Sequence, residues 1–261
     1  MGCEKPETSS RMSFRDSGRD QATLSRSVEL FRAFRKEQTD PAYFYELLAR
    51  DTVAQMSKYC ELENKLVLDV GGGPGHLAKA LRERGARAAF IEYEPDELLE
   101  QGRKLGCGII GDGCEMPFAS ATFDLACSSN VLEHVPEPFR MLDEMLRVVR
   151  PGGVLFVAFT NWHSPWGGHE TSPWHYFGGK RAARRFERRH GRPPKNHYGS
   201  SLFPLQVSHV LAWAHGQHTT GTAELIEAFP RYYPHWARWV VSIPILRELA
   251  TWNLAIAMRR R

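Results

Sequence analysis

The amino-acid sequence predicts an α/β protein built on a Rossmann-like sheet with helices on both faces. The short apolar run Leu66–Val70 is followed by a glycine-rich turn, Gly71–Gly75, and then by apolar residues at helical spacing. A buried strand, a tight loop and a helix N-terminus in this order form the first half of a βαβ nucleotide-binding unit. Further strand-like segments continue this pattern as far as residue 160.

Composition is that of an ordinary globular protein. The 261 residues suffice for one large α/β domain, and 42% of them are hydrophobic and 25% charged. No apolar run approaches the roughly 18–20 residues of a membrane span. Residues 1–22 are polar and mixed in charge, which predicts a disordered leader and not a signal peptide. Five cysteines without a CxxC pair are typical of the reducing cytoplasm, where we expect the protein to be located.

The turn after the first strand departs from the dinucleotide-binding fingerprint. That fingerprint has glycine at its first, third and sixth positions, and the sixth position counted from Gly71 is His76. Pro74 also lies inside the turn. The sequence therefore argues against a pyrophosphate-binding dehydrogenase.

Asp69, Gly71, Gly73 and Gly75 instead follow the pattern D-x-G-x-G-x-G. This pattern resembles motif I of class I S-adenosylmethionine (SAM)-dependent methyltransferases. In that family the loop packs against the methionine part of SAM, and the acid orients the ammonium group. The resemblance implies SAM as the cofactor.

Later segments resemble further motifs of the same family. Met116–Phe118 and Phe123–Asp124 match its approach to the fourth strand, and Arg147–Val157 matches its turn into the fifth. The motifs occur in the family's order across residues 65–160, the predicted SAM-binding core. The chain is identified as a member of this family, in its type 11 group, which implies a seven-stranded sheet.

The resemblance places SAM contacts at the ends of the next two strands. Glu92, three residues before Pro95, is expected to accept hydrogen bonds from the ribose hydroxyls, with Glu94 as the alternative. Asp112 matches the acid beside the adenine, although an aspartate bonded to its own turn is the alternative. The complete set of expected cofactor residues is Asp69, Gly71, Gly73, Gly75, Glu92, Tyr93, Asp112, Gly113 and Asn130.

Residues 23–64 are predicted to form helices that precede the sheet. Apolar residues at helical spacing run from Leu24 and again from Tyr43, with a break at Asp40-Pro41. In the family such helices cover the SAM pocket as a lid. Tyr43 and Tyr45 are candidate lid residues, and the alternative that they pack in the core is favoured.

The last hundred residues divide into an insert, 161–203, and a segment, 204–261, that completes the sheet. We expect a helix at 202–214, a strand at 223–229, a helix at 235–250 interrupted at Pro244, and a final strand at 254–258. Motifs of the insert, such as His197–Phe203, resemble an actinobacterial branch of the family that is known from mycobacteria.

His134 is the first candidate for the chemistry. It follows the fourth strand, at the edge where doubly wound sheets bind ligands, and histidine suits the role of general base toward a hydroxyl. The segment Asn130–His134 is similar to the E-x-x-E-H element of ubiquinone-pathway O-methyltransferases, which is associated with a divalent metal. Glu133 and His134 are therefore possible Mg²⁺ ligands, although Asn130 replaces the first acid. The alternative is that both only shape the helix start beneath SAM.

The insert supplies a second candidate site. His169 with Glu170 is a possible base and its partner, and aromatic faces stack well on sugar rings or planar acceptors. Packing of the loop by its own tryptophans is the alternative. The expected substrate-binding residues are Trp162, Trp166, Trp174, His175 and Tyr176.

Residues 180–195 contain eight Lys or Arg and one acid, Glu187. A solvated basic face is the favoured explanation, and recognition of an anionic substrate or of an anionic membrane surface is the alternative. For the membrane, the expected apolar anchors are Trp236, Trp239, Val240, Val241 and Ile243. No recognised nucleic-acid-binding module accompanies the charge, so we expect no nucleic-acid partner.

The sequence thus predicts O-methylation of a hydroxyl on a saccharide, a glycosylated natural product or a lipid-linked small molecule. Two alternatives remain open. One is N- or C-methylation of a small molecule, for which a histidine base is not needed. The other is a SAM-binding partner protein without catalysis.

Overall fold

A computed structural model describes residues 22–37, 39–96 and 108–261, so almost all of the expected leader lies outside the described residues. The strands are β1 (Leu66–Val70), β2 (Arg87–Glu92), β3 (Gly108–Ile110), β4 (Phe123–Ser129), β5 (Val149–Thr160), β6 (Ala223–Pro230) and β7 (Asn253–Arg260). The helices are α1 (Leu24–Phe34), α2 (Pro41–Met56), α3 (His76–Glu83), α4 (Pro138–Val148), α5 (Gly179–His190), α6 (Val207–Thr219) and α7 (Pro244–Ala250).

The strands form one seven-stranded sheet in the order β3-β2-β1-β4-β5-β7-β6. The pairs from β3 to β5 are parallel, and β7 runs antiparallel to both β5 and β6. Strand order reverses between β1 and β4, and in open α/β sheets ligands bind outside the carboxyl ends at such a switch point. The predicted fold class is confirmed.

Helices cover both faces of the sheet. Alternation along β1 sends Leu68 and Val70 into one core, where α4 and α6 pack, and Val67 into the other, where α2 and α3 pack. Both cores consist of buried hydrophobic side chains. Burial on both faces explains why the central strands are apolar runs without polar alternation.

The N-terminal helices begin at well-formed caps. Thr23 accepts a hydrogen bond from the backbone N–H of Arg26 at 3.2 Å, and Asp40 accepts one from Tyr43 at 3.2 Å. Pro41 occupies the first turn of α2, where it costs no hydrogen bond. An ion pair between Arg26 and Asp51 at 2.5 Å joins α1 to α2.

Two helix predictions in the C-terminal segment need correction. The helix expected at 202–214 begins only at Val207, because the Glu248 carboxylate accepts hydrogen bonds from the N–H groups of Val207 (3.1 Å) and Ser208 (2.8 Å). The helix expected at 235–250 is a 3₁₀ helix, His235–Ser242, followed by α7, which begins at Pro244. No helix in the described residues is long and apolar enough to cross a membrane.

Candidate active site

The glycine loop after β1 has a backbone that favours glycine. Gly71, Gly73 and Gly75 have φ values of +75°, +49° and +84°, in the left-handed region. A Cβ on Gly71 would lie 2.5 Å from both methyl carbons of Val131. The loop is therefore pressed against the turn that follows β4.

Glu92 joins the tip of β2 to this loop. One carboxylate oxygen accepts a hydrogen bond from the N–H of Gly73 at 2.7 Å, and the other accepts from Tyr93 at 2.8 Å and Glu94 at 3.1 Å. Glu92 is buried, whereas Glu94 is exposed. Of the two acids, Glu92 is the one bonded to the glycine loop, and its contact with ribose stays a prediction.

Asp69 is a buried acid beneath the loop. Its side chain is 1% exposed, and its Oδ2 has no hydrogen-bond partner among the described residues. Burial, assisted by the nearby charge of Glu92, raises the pKa of Asp69 to about 7. A buried acceptor without a partner is uncommon, and a donor group of a ligand is one explanation of it.

Asp112 is exposed after β3, and its Oδ1 accepts a hydrogen bond from the N–H of Cys114 at 2.7 Å. This is the local turn contact that the sequence offered as the alternative. A Cβ on Gly113 would approach Val70 to 3.2 Å, so this turn lies against the end of β1. A contact of Asp112 with adenine stays a prediction.

Asn130 lies within a polar cluster that the sequence did not predict. Its Oδ1 accepts hydrogen bonds from Asn253 at 2.8 Å and Arg231 at 3.3 Å. Arg231 is 1% exposed and also donates to Ser129 and Thr52, and no carboxylate of the described residues pairs with it. Arg231 follows a strand directly, which was the only signal available in the sequence.

Glu133, His134 and His169 converge above the carboxyl end of β4. One donor atom of each lies within 4.8 Å of the others, and the two imidazole centroids are 5.0 Å apart. The Nδ1 of His134 is 2.6 Å from the carbonyl oxygen of Ser201. Burial lowers the pKa of His169, and the charge of Glu133 opposes this shift.

The side chain of Glu170 is hydrogen-bonded to Asn196 and not to His169. Both of its carboxylate oxygens accept from the side-chain amide of Asn196, at 3.2 and 3.1 Å. In the part of the chain that the structure describes, no hydrogen bond joins Glu170 to His169. Its role as a partner of a base therefore rests on its nearby negative charge alone.

Two of the expected substrate-binding tryptophans of the insert pack within the protein. Trp166 stacks on Trp252, with ring centroids 5.1 Å apart and planes 14° apart, and contacts Phe34 of α1 at 5.9 Å. Trp162 packs edge-on against His175 at 5.1 Å. His175 is 1% exposed and bonds the carbonyl oxygen of Trp162 at 3.0 Å, so it holds the insert together.

Other aromatic side chains remain open to solvent. Trp174 and Tyr176 are exposed, and the guanidinium carbon of Arg185 lies 3.8 Å from the ring centroid of Trp174. Tyr43 and Tyr45 are also exposed, so the interpretation of both as core residues is wrong. Tyr45 stacks on His76 at the end of the glycine loop, with centroids 6.1 Å apart.

The residues around the glycine loop fit SAM. Glycines with positive φ keep side chains off the loop, the buried Asp69 oxygen lacks a partner, and the Glu92 carboxylate, which accepts three hydrogen bonds, can still accept one from a hydroxyl. Together with the strand order, this set of features defines a class I SAM-dependent methyltransferase.

Comparison with known proteins agrees. Residues 68–157 match the model of a methyltransferase domain. An uncharacterized methyltransferase of Mycobacteroides abscessus is 47% identical over 253 residues, covering 92% of this chain and 96% of that protein. One from Mycobacterium tuberculosis is 43% identical over 247 residues, covering 91% and 95%. The chain belongs to this family of mycobacterial SAM-dependent methyltransferases.

Solved structures are similar in fold at low sequence identity. A SAM-dependent methyltransferase from Mesorhizobium loti has a TM-score of 0.55 at 17% identity, covering 81% of this chain and 98% of that one. A protein from Pyrococcus horikoshii has a TM-score of 0.57 at 13% identity, covering 89% and 99%. At these identities the likeness shows the fold alone.

The enzyme class implies a small-molecule methyl acceptor.

Proposed function

We propose that the enzyme methylates a hydroxyl group of a small molecule: a saccharide, a glycosylated natural product or a lipid-linked acceptor. One contact carries the proposal. The close approach of Gly71 to Val131 brings the turn Leu132–His134 directly against the cofactor loop. His134 therefore lies three residues from a side chain that contacts the proposed cofactor loop, which supports its role as the base.

The local contacts of His134 suit a general base. Since a carbonyl oxygen only accepts, the bond to Ser201 requires the proton on Nδ1 and leaves a lone pair on Nε2. His134 is half-buried. Its neighbour His169 has a lowered pKa and favours the neutral form, so it places no positive charge beside His134. SAM supplies a methyl group that its sulfonium already activates, and the enzyme must align the hydroxyl and take its proton.

The cofactor residues are proposed in the arrangement expected from the sequence. Glu92 binds the ribose, Asp69 orients the ammonium group, and the loop Gly71–Gly75 packs against the methionine part. Tyr93, Asp112, Gly113 and Asn130 complete the set. The hydrogen bonds that orient Glu92 and Asn130 support these roles, because they fix both side chains at the carboxyl edge of the sheet.

For the acceptor, the exposed rings of Trp174 and Tyr176 offer faces that stack on a sugar or another planar group. Trp162 belongs to the same insert and is half-buried, so part of its ring is also accessible. Helix α5 places Arg181, Arg184 and Arg185 close by in sequence, which supports an acceptor with a phosphate or carboxylate.

Contact with an anionic membrane surface is a compatible proposal for a lipid-linked acceptor. Of the expected anchors, Trp236, Trp239 and Ile243 are exposed. Val240 and Val241 are buried, so they are withdrawn as anchors. Sedimentation with vesicles rich in phosphatidylserine would test the contact, and equal recovery of wild type and the Trp236→Ala, Trp239→Ala variant would contradict it.

The test of function is a screen of hydroxylated acceptors for S-adenosylhomocysteine formation, with mass spectrometry of the product. We expect an O-methyl product and a loss of kcat of about 10²-fold or more for His134→Gln. His215→Gln, at an exposed position on α6, is the matched control.

Three other outcomes would contradict the proposal. An N- or C-methyl product formed equally well by His134→Gln would favour the first alternative. SAM binding without any turnover across the panel would favour a non-catalytic partner protein. Full activity of both His134→Gln and His169→Gln on a hydroxyl would show that neither histidine is the general base.

A separate assay tests the Mg²⁺ prediction: turnover should be lost in EDTA and restored by Mg²⁺.

A further inference from the structure

The side chains of Glu133, His134 and His169 come from two distant parts of the chain. Glu133 and His134 lie in the 3₁₀ turn after β4, and His169 begins a 3₁₀ turn in the insert. Their donor atoms lie within 4.8 Å of one another. These groups come together only when the two segments fold against each other. Packing within either segment alone does not bring them together.

Two of the converging atoms have no partner. Glu133 is 1% exposed, and its Oε2 lacks a hydrogen bond among the described residues, as does the buried Nε2 of His169. A buried carboxylate oxygen without a partner lowers the stability of the folded state. A bound group that pairs with this oxygen would offset the loss.

Backbone contacts hold the side chains of Glu133 and His134 in place. Glu133 Oε1 accepts from the N–H of Thr160 at 2.9 Å, and His134 Nδ1 donates to Ser201. The N–H of Phe203 donates to the Glu133 carbonyl oxygen at 2.8 Å. Such outer contacts orient the imidazole and carboxylate ligands of metal sites.

His169 also has an unusual backbone. Its φ of +49° lies in the left-handed region, which is strained for a residue other than glycine. Residues held there occur at ligand clamps and active sites, provided that their surroundings over-determine them. The imidazole of this residue lies beside that of His134, with ring centroids 5.0 Å apart.

We propose that Glu133, His134 and His169 bind one divalent transition-metal ion. One carboxylate and two imidazoles suit Zn²⁺, Mn²⁺ or Fe²⁺, whereas Mg²⁺ prefers oxygen ligands. The donor atoms lie within 4.8 Å of one another, so each must move by less than about 1 Å toward a central ion to reach the usual bond lengths of 2.0–2.2 Å. Three protein ligands leave a coordination position open, as catalytic sites do.

The catalytic role of the ion rests on the proposed O-methylation and takes the place of His134 as the general base, whereas binding of the ion does not depend on the proposed function. A coordinated acceptor hydroxyl has a lowered pKa, so the ion promotes loss of its proton. His134 then acts as a ligand that fixes the ion, and the proton leaves to solvent. The ion also ties the insert to the turn after β4, so its binding stabilises both.

The test uses the untagged full-length chain, treated with EDTA and dialysed into metal-free buffer. Calorimetric titration with Zn²⁺ should show one equivalent bound, and Mg²⁺ at millimolar concentration should not displace it. His169→Gln should weaken Zn²⁺ binding by at least tenfold, and His215→Gln should leave it unchanged. Co²⁺ in the wild type should give visible d–d absorption that His169→Gln loses.

Glu133→Gln is the second ligand variant, and thermal unfolding checks that each variant is folded. Absence of stoichiometric Zn²⁺ binding, or equal affinity in His169→Gln and wild type, would overturn the site. These measurements need neither SAM nor an acceptor. If metal-free enzyme methylates a hydroxyl and His134→Gln does not, the catalytic role of the ion is wrong and the base stands. If Zn²⁺ binds in one equivalent and no hydroxyl is methylated, the proposed function is wrong and the site stands.

Discussion

The backbone N–H of Gly73 donates a hydrogen bond of 2.7 Å to the carboxylate of Glu92. This bond joins the loop after β1 to the tip of β2, two segments separated in sequence by α3. The carboxylate cannot rotate freely, because its second oxygen is held by Tyr93 and Glu94. The acid that is proposed to bind the cofactor is therefore pre-oriented, which would lower the entropy lost on binding.

Glu92→Gln should weaken SAM binding. The amide keeps the shape of the side chain, but one acceptor oxygen and the negative charge are lost. Hydrogen bonds to charged groups contribute about 1.5–3 kcal/mol each, so we expect a loss of affinity of roughly tenfold to a hundredfold. Calorimetry with SAM and S-adenosylhomocysteine measures it. Glu94→Gln, at an exposed neighbouring position, is the control, and equal losses in both variants would contradict the assignment.

Gly71→Ala should destabilise the protein more than a glycine substitution that meets open space. Both Gly71 and Gly152 have positive φ, +75° and +79°, so alanine at either pays about 1–2 kcal/mol of backbone strain. Only at Gly71 would the new Cβ also meet Val131, at 2.5 Å, which adds about 1–3 kcal/mol. Urea denaturation compares the two variants.

Val131→Ala in the Gly71→Ala background provides the check on this explanation. Removal of the two methyl groups should recover much of the extra loss at Gly71 and should not affect Gly152→Ala. A double variant no more stable than Gly71→Ala would show that close approach to Val131 is not the cause.

The fold and the cofactor loop were predictable because their signals are local. An apolar run, a glycine turn and a helical pattern lie within a few residues of one another, and Glu92 stands at the end of β2, the next strand. The start of α6 was not predictable, because Glu248, forty residues away, caps it. The contacts of Arg231 with Asn130 and Ser129 likewise span about a hundred residues.

Asp69 should make stability depend on pH. The pKa is raised from 3.8 to about 7 in the folded state, so between these values the folded state binds more protons than the unfolded state. The contribution of Asp69 to the free energy of unfolding is thus full at low pH. It is lost as pH rises toward 7, by up to about 1.4 kcal/mol per pH unit.

Urea denaturation from pH 5 to 7.5 measures this effect as the difference between wild type and Asp69→Asn. The neutral amide does not titrate, so the variant should gain stability relative to wild type as pH rises. Parallel stability profiles for the two proteins would show that Asp69 has an ordinary pKa.

Trp166 and Trp174 should behave differently, although the sequence suggested the same role for both. Trp166 stacks on Trp252 and contacts α1, so Trp166→Ala should lower the free energy of unfolding by about 3 kcal/mol. Trp174 is exposed and its ring mainly contacts Arg185, so Trp174→Ala should cost no more than about 1 kcal/mol. If Trp174 binds the acceptor, its variant should instead raise KM for the acceptor with little change in KM for SAM. Thermal unfolding together with steady-state kinetics separates the two roles, and a stable Trp166→Ala protein would refute the packing assigned to that ring.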